Sequence, residues 1–183
     1  ITKQKELEKK LEKYATKDEL TGVYNRRVSF ECLEQQLKSS DRNKINFSII
    51  FVDVNNLKRV NDTLGHNYGD SLIRDVCSII SDEVRESDII ARLGGDEFLV
   101  ILPNCKAEEA EEIWGRIVRK AEEINCVNGR EYRISASHGI YEYITGSGIT
   151  IDEIIEEADR RMYSEKKIIK AREEAAEELC ILR

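Results

Sequence analysis

At 183 residues the chain is long enough for one domain with a full core plus an appendage, and short for two. Hydrophobic residues make up 40% and charged residues 36%, and the net charge of −7 argues against a long basic groove for DNA or RNA. A small anionic ligand, which needs only a few local cations and a metal, is not excluded. The five cysteines, Cys32, Cys77, Cys105, Cys126 and Cys180, are odd in number and form no C-x-x-C pair. They fit neither a disulfide framework nor a zinc site, and read as small core or incidental residues in a reducing compartment. No apolar run approaches the roughly 18–20 residues of a membrane span, and no signal-peptide pattern opens the chain.

Residues 1–17 are charge-rich, with Leu7, Leu11 and Tyr14 forming an apolar seam on one helix face. This segment reads as a lead helix, either a coiled-coil connector or a solvated helix docked by one stripe. The chain starts at Ile1 and is read as a piece of a longer protein. From residue 18 to 183 helices and strands alternate. A helix is expected over Val28–Leu37, then a polar loop over Lys38–Lys44. F-S-I-I-F-V (Phe47–Val52) is a buried strand with Asp53 at its end. A short helix around Leu57–Leu64 and a loop over Gly65–Gly69 precede a long helix opened by Asp70. Leu72, Ile73, Val76, Ile79, Ile80 and Val84 share one face of that helix.

Two apolar runs, Ile89–Leu93 and Phe98–Leu102, flank Gly94-Gly95-Asp96-Glu97 and predict a β-hairpin. Pro103 closes its second strand. Ala107–Ile124 is amphipathic, with Ile113, Trp114, Ile117, Val118 and Ala121 inward. Tyr132–Tyr143 is expected as a further strand, and Ile151 to about Lys170 as a closing helix. The pattern is a single α/β domain behind a helical lead.

Two acidic places stand out. Asp53 ends a buried strand, and Asp96 and Glu97 sit on a hairpin tip, where a rigid sheet presents groups to ligands. Carboxylates brought together repel unless a cation lies between them, and Mg²⁺ prefers one or two carboxylates plus phosphate oxygens. A solvated acidic turn is the plainer reading of those residues taken alone.

The motifs around them resemble the GGDEF family. R-L-G-G-D-E-F (Arg92–Phe98) matches its signature, and D-E-L-T-G-V-Y-N-R-R (Asp18–Arg27) its entry motif. F-V-D-V-N-N-L-K-R-V-N-D-T-L-G-H-N-Y-G-D (Phe51–Asp70) is similar to its metal and guanine segment. S-A-S-H-G-I (Ser135–Ile140) and A-D-R-R-M-Y-S-E-K (Ala158–Lys166) are similar to its last strand and closing helix. The resemblance implies a central mixed, mostly antiparallel sheet of about five strands surrounded by helices, like the nucleotide-cyclase palm. It also implies a diguanylate cyclase, which joins two GTP into cyclic di-GMP and releases two pyrophosphates.

Under that resemblance, Asp53, the Val54 backbone carbonyl and Asp96 hold Mg²⁺, with Mn²⁺ as a substitute and two ions per half-site. Asp96 or Glu97 helps remove the 3′-hydroxyl proton. Asn61 and Asp70 read guanine, whose N1–H and amine suit a carboxylate acceptor; Asp70 would also serve as a helix N-cap. Lys58, Lys166 and Lys170 face the phosphates, although surface lysines are commonly just solvated. Lys170 stands where many members carry arginine, and Ile169 replaces a glycine. Asn55 replaces a frequent second aspartate, and Leu57 a frequent phenylalanine. Arg161 and Glu165 replace alanines and read as surface variation, and His66 and His138 as loop and core fillers rather than ligands.

Arg85 and Asp88 form an R-x-x-D at the family's offset from the hairpin, which implies an inhibitory site for cyclic di-GMP; Arg116 or Arg119 of a neighbour could assist. Cyclisation implies a homodimer, and the lead implies an upstream sensory domain. A cytoplasmic location follows, alone or as the cytosolic part of a larger protein. No nucleic acid polymer is expected as partner, nor a membrane segment. The alternative is a catalytically silent module that binds GTP or cyclic di-GMP.

Overall fold

The run F-S-I-I-F-V-D-V forms strand β2 (Phe47–Val54), buried at all eight positions because both faces of its sheet are covered. Alternation along the strand sends Phe47, Ile49 and Phe51 into one hydrophobic cluster and Ile50, Val52 and Val54 into another. The computed structural model describes residues 15–127 and 129–181, with side chains as far as residue 175; the expected Leu7/Leu11/Tyr14 seam lies outside the described residues.

Around β2 the chain runs β1 (Tyr24–Asn25), α1 (Arg26–Asn43), β2, α2 (Leu57–Leu64) and α3 (His66–Glu83). It continues through β3 (Ile89–Gly94), β4 (Glu97–Pro103), α4 (Ala107–Asn125), β5 (Ala136–Tyr143) and α5 (Ile151–Ile181). The sheet has five strands in the order β1-β3-β4-β2-β5. Strands β1 and β3 are parallel and the other pairs antiparallel, the mixed sheet that was expected. One face is covered by α3 and α4 through Leu72, Val76, Ile80, Ile113, Trp114 and Ile117. The other is covered by α1 and α5 through Leu33, Ile154, Ala158 and Met162. Burying one such leucine or isoleucine contributes roughly 1.5–3 kcal/mol, so both faces contribute heavily to stability.

Several boundaries differ from the sequence-based expectation. Helix α1 runs on through Lys38–Asn43 rather than ending in a polar loop. Lys38, Arg42 and Asn43 of that stretch face solvent, while Asp41 meets the end of β5 and the chain after it, its carboxylate accepting from the Tyr143 hydroxyl and the Gly146 N–H, both at 2.9 Å. The helix stops at Lys44, which takes a left-handed conformation. Gly65 alone separates α2 from α3, so Gly65–Gly69 is not a loop. Asp70 lies in the second turn of α3 and is not its N-cap.

Strand β5 begins at Ala136, later than expected. The side-chain amide of Asn125 brackets Ile134, donating to its carbonyl and accepting its N–H, both at 2.8 Å. A side chain there replaces a strand partner. On α4, Val118 is 42% exposed rather than inward, and α5 continues past Lys170 to Ile181. Cys77 and Cys105 are buried, Cys32 half-buried and Cys126 exposed, all as free thiols. Among the described residues no helix is long and apolar enough to cross a membrane.

Candidate functional site

Three acids meet at the end of β2. Asp53 lies directly opposite Glu97 in the β2–β4 register, and the Val54 N–H donates to the Asp96 carbonyl at 2.9 Å. The hairpin tip is thereby tied to the strand end. Gly94 and Gly95 make the turn with φ of 143° and 52°, backbone that side-chain-bearing residues rarely adopt. Arg92 braces it from below. Its guanidinium donates to the Gly95 carbonyl at 2.7 Å and reaches the Asp18 carboxylate at 3.2 Å. Asp18 in turn accepts from the N–H and hydroxyl of Thr21.

The electrostatics are those of crowded carboxylates. Asp53 is only 6% exposed. Burial pushes its carboxyl up, the hydrogen bond from Lys166 pulls it down, and Asp96 and Asp159 add to the rise. Burial likewise raises Glu97, reinforced by Asp96, Asp53 and Asp159 and opposed by Arg26. Sequence reasoning gave Asp159 no role, although it lies in the closing motif beside Ala158. Its nearness to Asp53 and Glu97 became visible only once α5 was seen packed against the sheet.

Of the three lysines expected at phosphates, Lys166 is the one brought to the acids. Its Nζ lies 2.5 Å from Asp53 Oδ1. Lys170 turns away, 76% exposed and 3.8 Å from Glu174. Lys58 is exposed on the first turn of α2. Asn55 is buried and bonded on every side: its amide N–H donates to the Ser135 hydroxyl and its carbonyl accepts from the Ser137 hydroxyl, both at 2.9 Å. Its backbone N–H donates to the Ser135 carbonyl. The amide therefore anchors the turn that follows Asp53 and Val54, a function an aspartate could share.

Asn61 and Asp70 come from neighbouring helices, α2 and α3. A Cβ on Gly69 would stand 2.0 Å from Asn61 Oδ1, so a glycine beside Asp70 is what lets the Asn61 amide lie against α3. Arg85 and Asp88 share the turn between α3 and β3. The Asp88 carboxylate accepts the Arg85 backbone N–H at 2.8 Å, and the Asp88 N–H donates to the Arg85 carbonyl. The Arg85 side chain is left exposed. Arg116 is engaged within the chain, on the carboxylate and carbonyl of Glu83 at 3.0 and 2.9 Å.

Two residues read as surface variation make specific contacts instead. Glu165 accepts the His138 backbone N–H at 2.5 Å and pairs with its Nδ1 at 2.7 Å. Arg161 donates to the Ile140 carbonyl at 2.7 Å. His138 stacks on Trp114 with ring centroids 4.5 Å apart. Beneath them Gly139 lets α5 approach closely: a Cβ there would meet the Ala158 carbonyl at 1.9 Å.

The donors expected for a divalent cation, Asp53, Asp96 and the Val54 carbonyl, are all hard oxygens. Among the described residues no group of three or more His, Cys, Asp or Glu side chains is arranged to hold a metal alone. Two carboxylates of this kind fit Mg²⁺, which takes its remaining ligands from water and phosphate.

A five-stranded mixed sheet with acids at the end of β2 and on a Gly-Gly hairpin defines the class, an α/β domain of GGDEF architecture. The family model described as diguanylate cyclase, GGDEF domain, matches residues 15–172, and the chain belongs to that family. It is 33% identical over 167 residues to the probable diguanylate cyclase DgcE of Escherichia coli K12, covering 91% of this chain and 15% of that protein. It is 32% identical over 167 residues to the cyclic di-GMP phosphodiesterase PdeR of the same organism, covering 91% of this chain and 25% of that protein. The chain thus spans a quarter or less of these relatives. The coiled coil and GGDEF domain of DgcB from Caulobacter crescentus, solved in complex with c-di-GMP, superposes with a TM-score of 0.81 at 26% identity. That match covers 91% of this chain and 88% of that one.

Proposed function

We propose that the chain is a diguanylate cyclase that condenses two GTP into cyclic di-GMP. The observation that carries this reading is the convergence of Asp53, Asp96 and Glu97 at the end of β2 with the whole Gly-Gly-Asp-Glu-Phe hairpin present. In each of two steps a 3′-oxygen bonds to the α-phosphorus of the other nucleotide. The hydroxyl proton leaves, the bond to the β-phosphate oxygen breaks, and pyrophosphate departs. Asp53, Asp96 and the Val54 carbonyl would hold Mg²⁺ or Mn²⁺, two ions per half-site, which when bound neutralise charge on the triphosphate.

The remaining work belongs to the chain. Glu97, raised by burial and by its acidic neighbours, is suited to accept the 3′-hydroxyl proton. Asn61 and Asp70 would orient the guanine, Lys166 would neutralise phosphate oxygens from beside the acids, and Lys58 and Lys170 would have to swing in from exposed positions to assist it. Two copies related by a two-fold axis would place the nucleotides antiparallel. Arg85 and Asp88 would bind cyclic di-GMP and slow the enzyme as product accumulates. Residues 1–17 would link this domain (18–183) to an upstream sensory domain on the cytoplasmic side.

A regulatory module that binds the same nucleotides without turnover is the second reading. It draws on the phosphodiesterase relative and on Lys170 pointing away from the acids. To separate the two, the chain at high concentration is incubated with GTP and Mg²⁺ and the nucleotides are resolved by mass. Cyclic di-GMP is expected from the parent and none from Asp96→Ala/Glu97→Ala, with Arg85→Ala carrying on past the level at which the parent stalls. No product from the parent, even with a dimerising coiled coil fused at its N-terminus, would leave the binding module.

A further inference from the structure

We infer that Lys166 is the resident counter-ion of Asp53, and that it is handed over to nucleotide as a divalent cation enters the site, so that the cation binds only weakly on its own. The inference rests on the proposed cyclase reading and adds to it a coupling between cation and nucleotide. Asp53 is buried, faces Glu97 across the β2–β4 pair, and feels Asp96 and Asp159. A buried carboxylate in such company needs a cation, and the ammonium of Lys166 supplies one at 2.5 Å. The carboxylate it grips is one that would hold the metal.

The backbone that carries Lys166 has little freedom to move aside. Helix α5 is seated on β5 where Gly139 underlies the backbone of Ala158 and Met162. Two side chains pin it further, Arg161 to the Ile140 carbonyl and Glu165 to the backbone N–H and ring of His138. What can swing is the lysine stem, four carbons ending in a rotatable ammonium. A divalent cation arriving alone therefore has to displace that ammonium from Asp53 and leaves two positive groups competing for the same acids. A triphosphate arriving with the cation offers the displaced ammonium a new anion. Cation and nucleotide should bind together, each weakly without the other, while the Lys166 ammonium relieves the repulsion among the acids.

The test measures Mn²⁺ binding in the absence of nucleotide, from the electron paramagnetic signal of the free ion, for the parent, Lys166→Met and Lys166→Arg. Loss of the ammonium is expected to tighten Mn²⁺ binding about tenfold, a 1.4 kcal/mol change, while the arginine variant stays near the parent. In parallel, binding of a GTP analogue lacking the 3′-hydroxyl, measured with Mg²⁺ by calorimetry, is expected to weaken in Lys166→Met. If Lys166→Met binds Mn²⁺ no more tightly than the parent while the parent binds the analogue with Mg²⁺, the hand-over is wrong and the cyclase reading stands. If the parent binds no analogue in the presence of Mg²⁺, both fall together.

Discussion

Glu97 and Asp53 sit where a stable protein would rather not keep them. Each is raised by burial first and by neighbouring carboxylates next. A carboxyl whose folded-state pKa lies above its unfolded value binds its proton more tightly in the folded chain. Its effect on stability is nil well below the unfolded value and grows unfavourable as pH climbs through the folded one. Glu97→Gln removes that effect at neutral pH and is expected to raise Tm by roughly 2 °C while suppressing product formation. The gain should fade as the melting buffer is taken below the unfolded carboxyl value of 4.5. A variant that melts lower than the parent at pH 7 would show that Glu97 stabilises the fold through contacts other than its charge.

At the scale of elements, the seat of α5 on β5 is the tightest joint described. A Cβ on Gly139 would stand 1.9 Å from the Ala158 carbonyl and 2.5 Å from the Met162 nitrogen, both backbone atoms that cannot rotate away. Gly139→Ala is expected to cost roughly 3 kcal/mol in urea unfolding, in the upper range for overpacking. It should also raise the KM for GTP, because Lys166 rides on the same helix. Unchanged stability would mean the helix has room to lift. The sequence made most of the elements readable and few of their ends. Periodicity found β2, the hairpin and α3, since each buries a regular stripe. Boundaries failed where side chains stand in for backbone partners, as Asn125 does for Ile134, or where a polar run such as Lys38–Asn43 is a helix end that partly faces solvent. The acids were legible because strand end and hairpin tip announce themselves. Asn55, Asp159 and the Glu165–His138 pair were not, because each acts through a partner at least 27 positions away or on another element.

For the molecule as a whole, one domain presents a single copy of each residue proposed to touch nucleotide, yet a cyclic dinucleotide needs two nucleotides joined twice. Turnover per chain is therefore expected to fall as the enzyme is diluted, with a steeper than first-order dependence of rate on concentration below the dimer dissociation constant. A rate that stays strictly proportional to enzyme well below any dimer dissociation constant would place both joining steps within one chain. At the end of the sheet where the acids meet, Lys166, Arg26 and Arg92 supply positive charge.

Strand β5 forms one border of the sheet, with β2 on its inner side. A border strand normally displays a row of unpaired donors and acceptors to which another chain's strand can add, the first step of many fibrils. Here the His138 N–H is taken by Glu165 and the Ile140 carbonyl by Arg161. Two side chains from a helix already in place thus act as gatekeepers against aggregation. Addition of a second chain along this edge is thereby disfavoured, and the pairing proposed for catalysis is left to other surfaces.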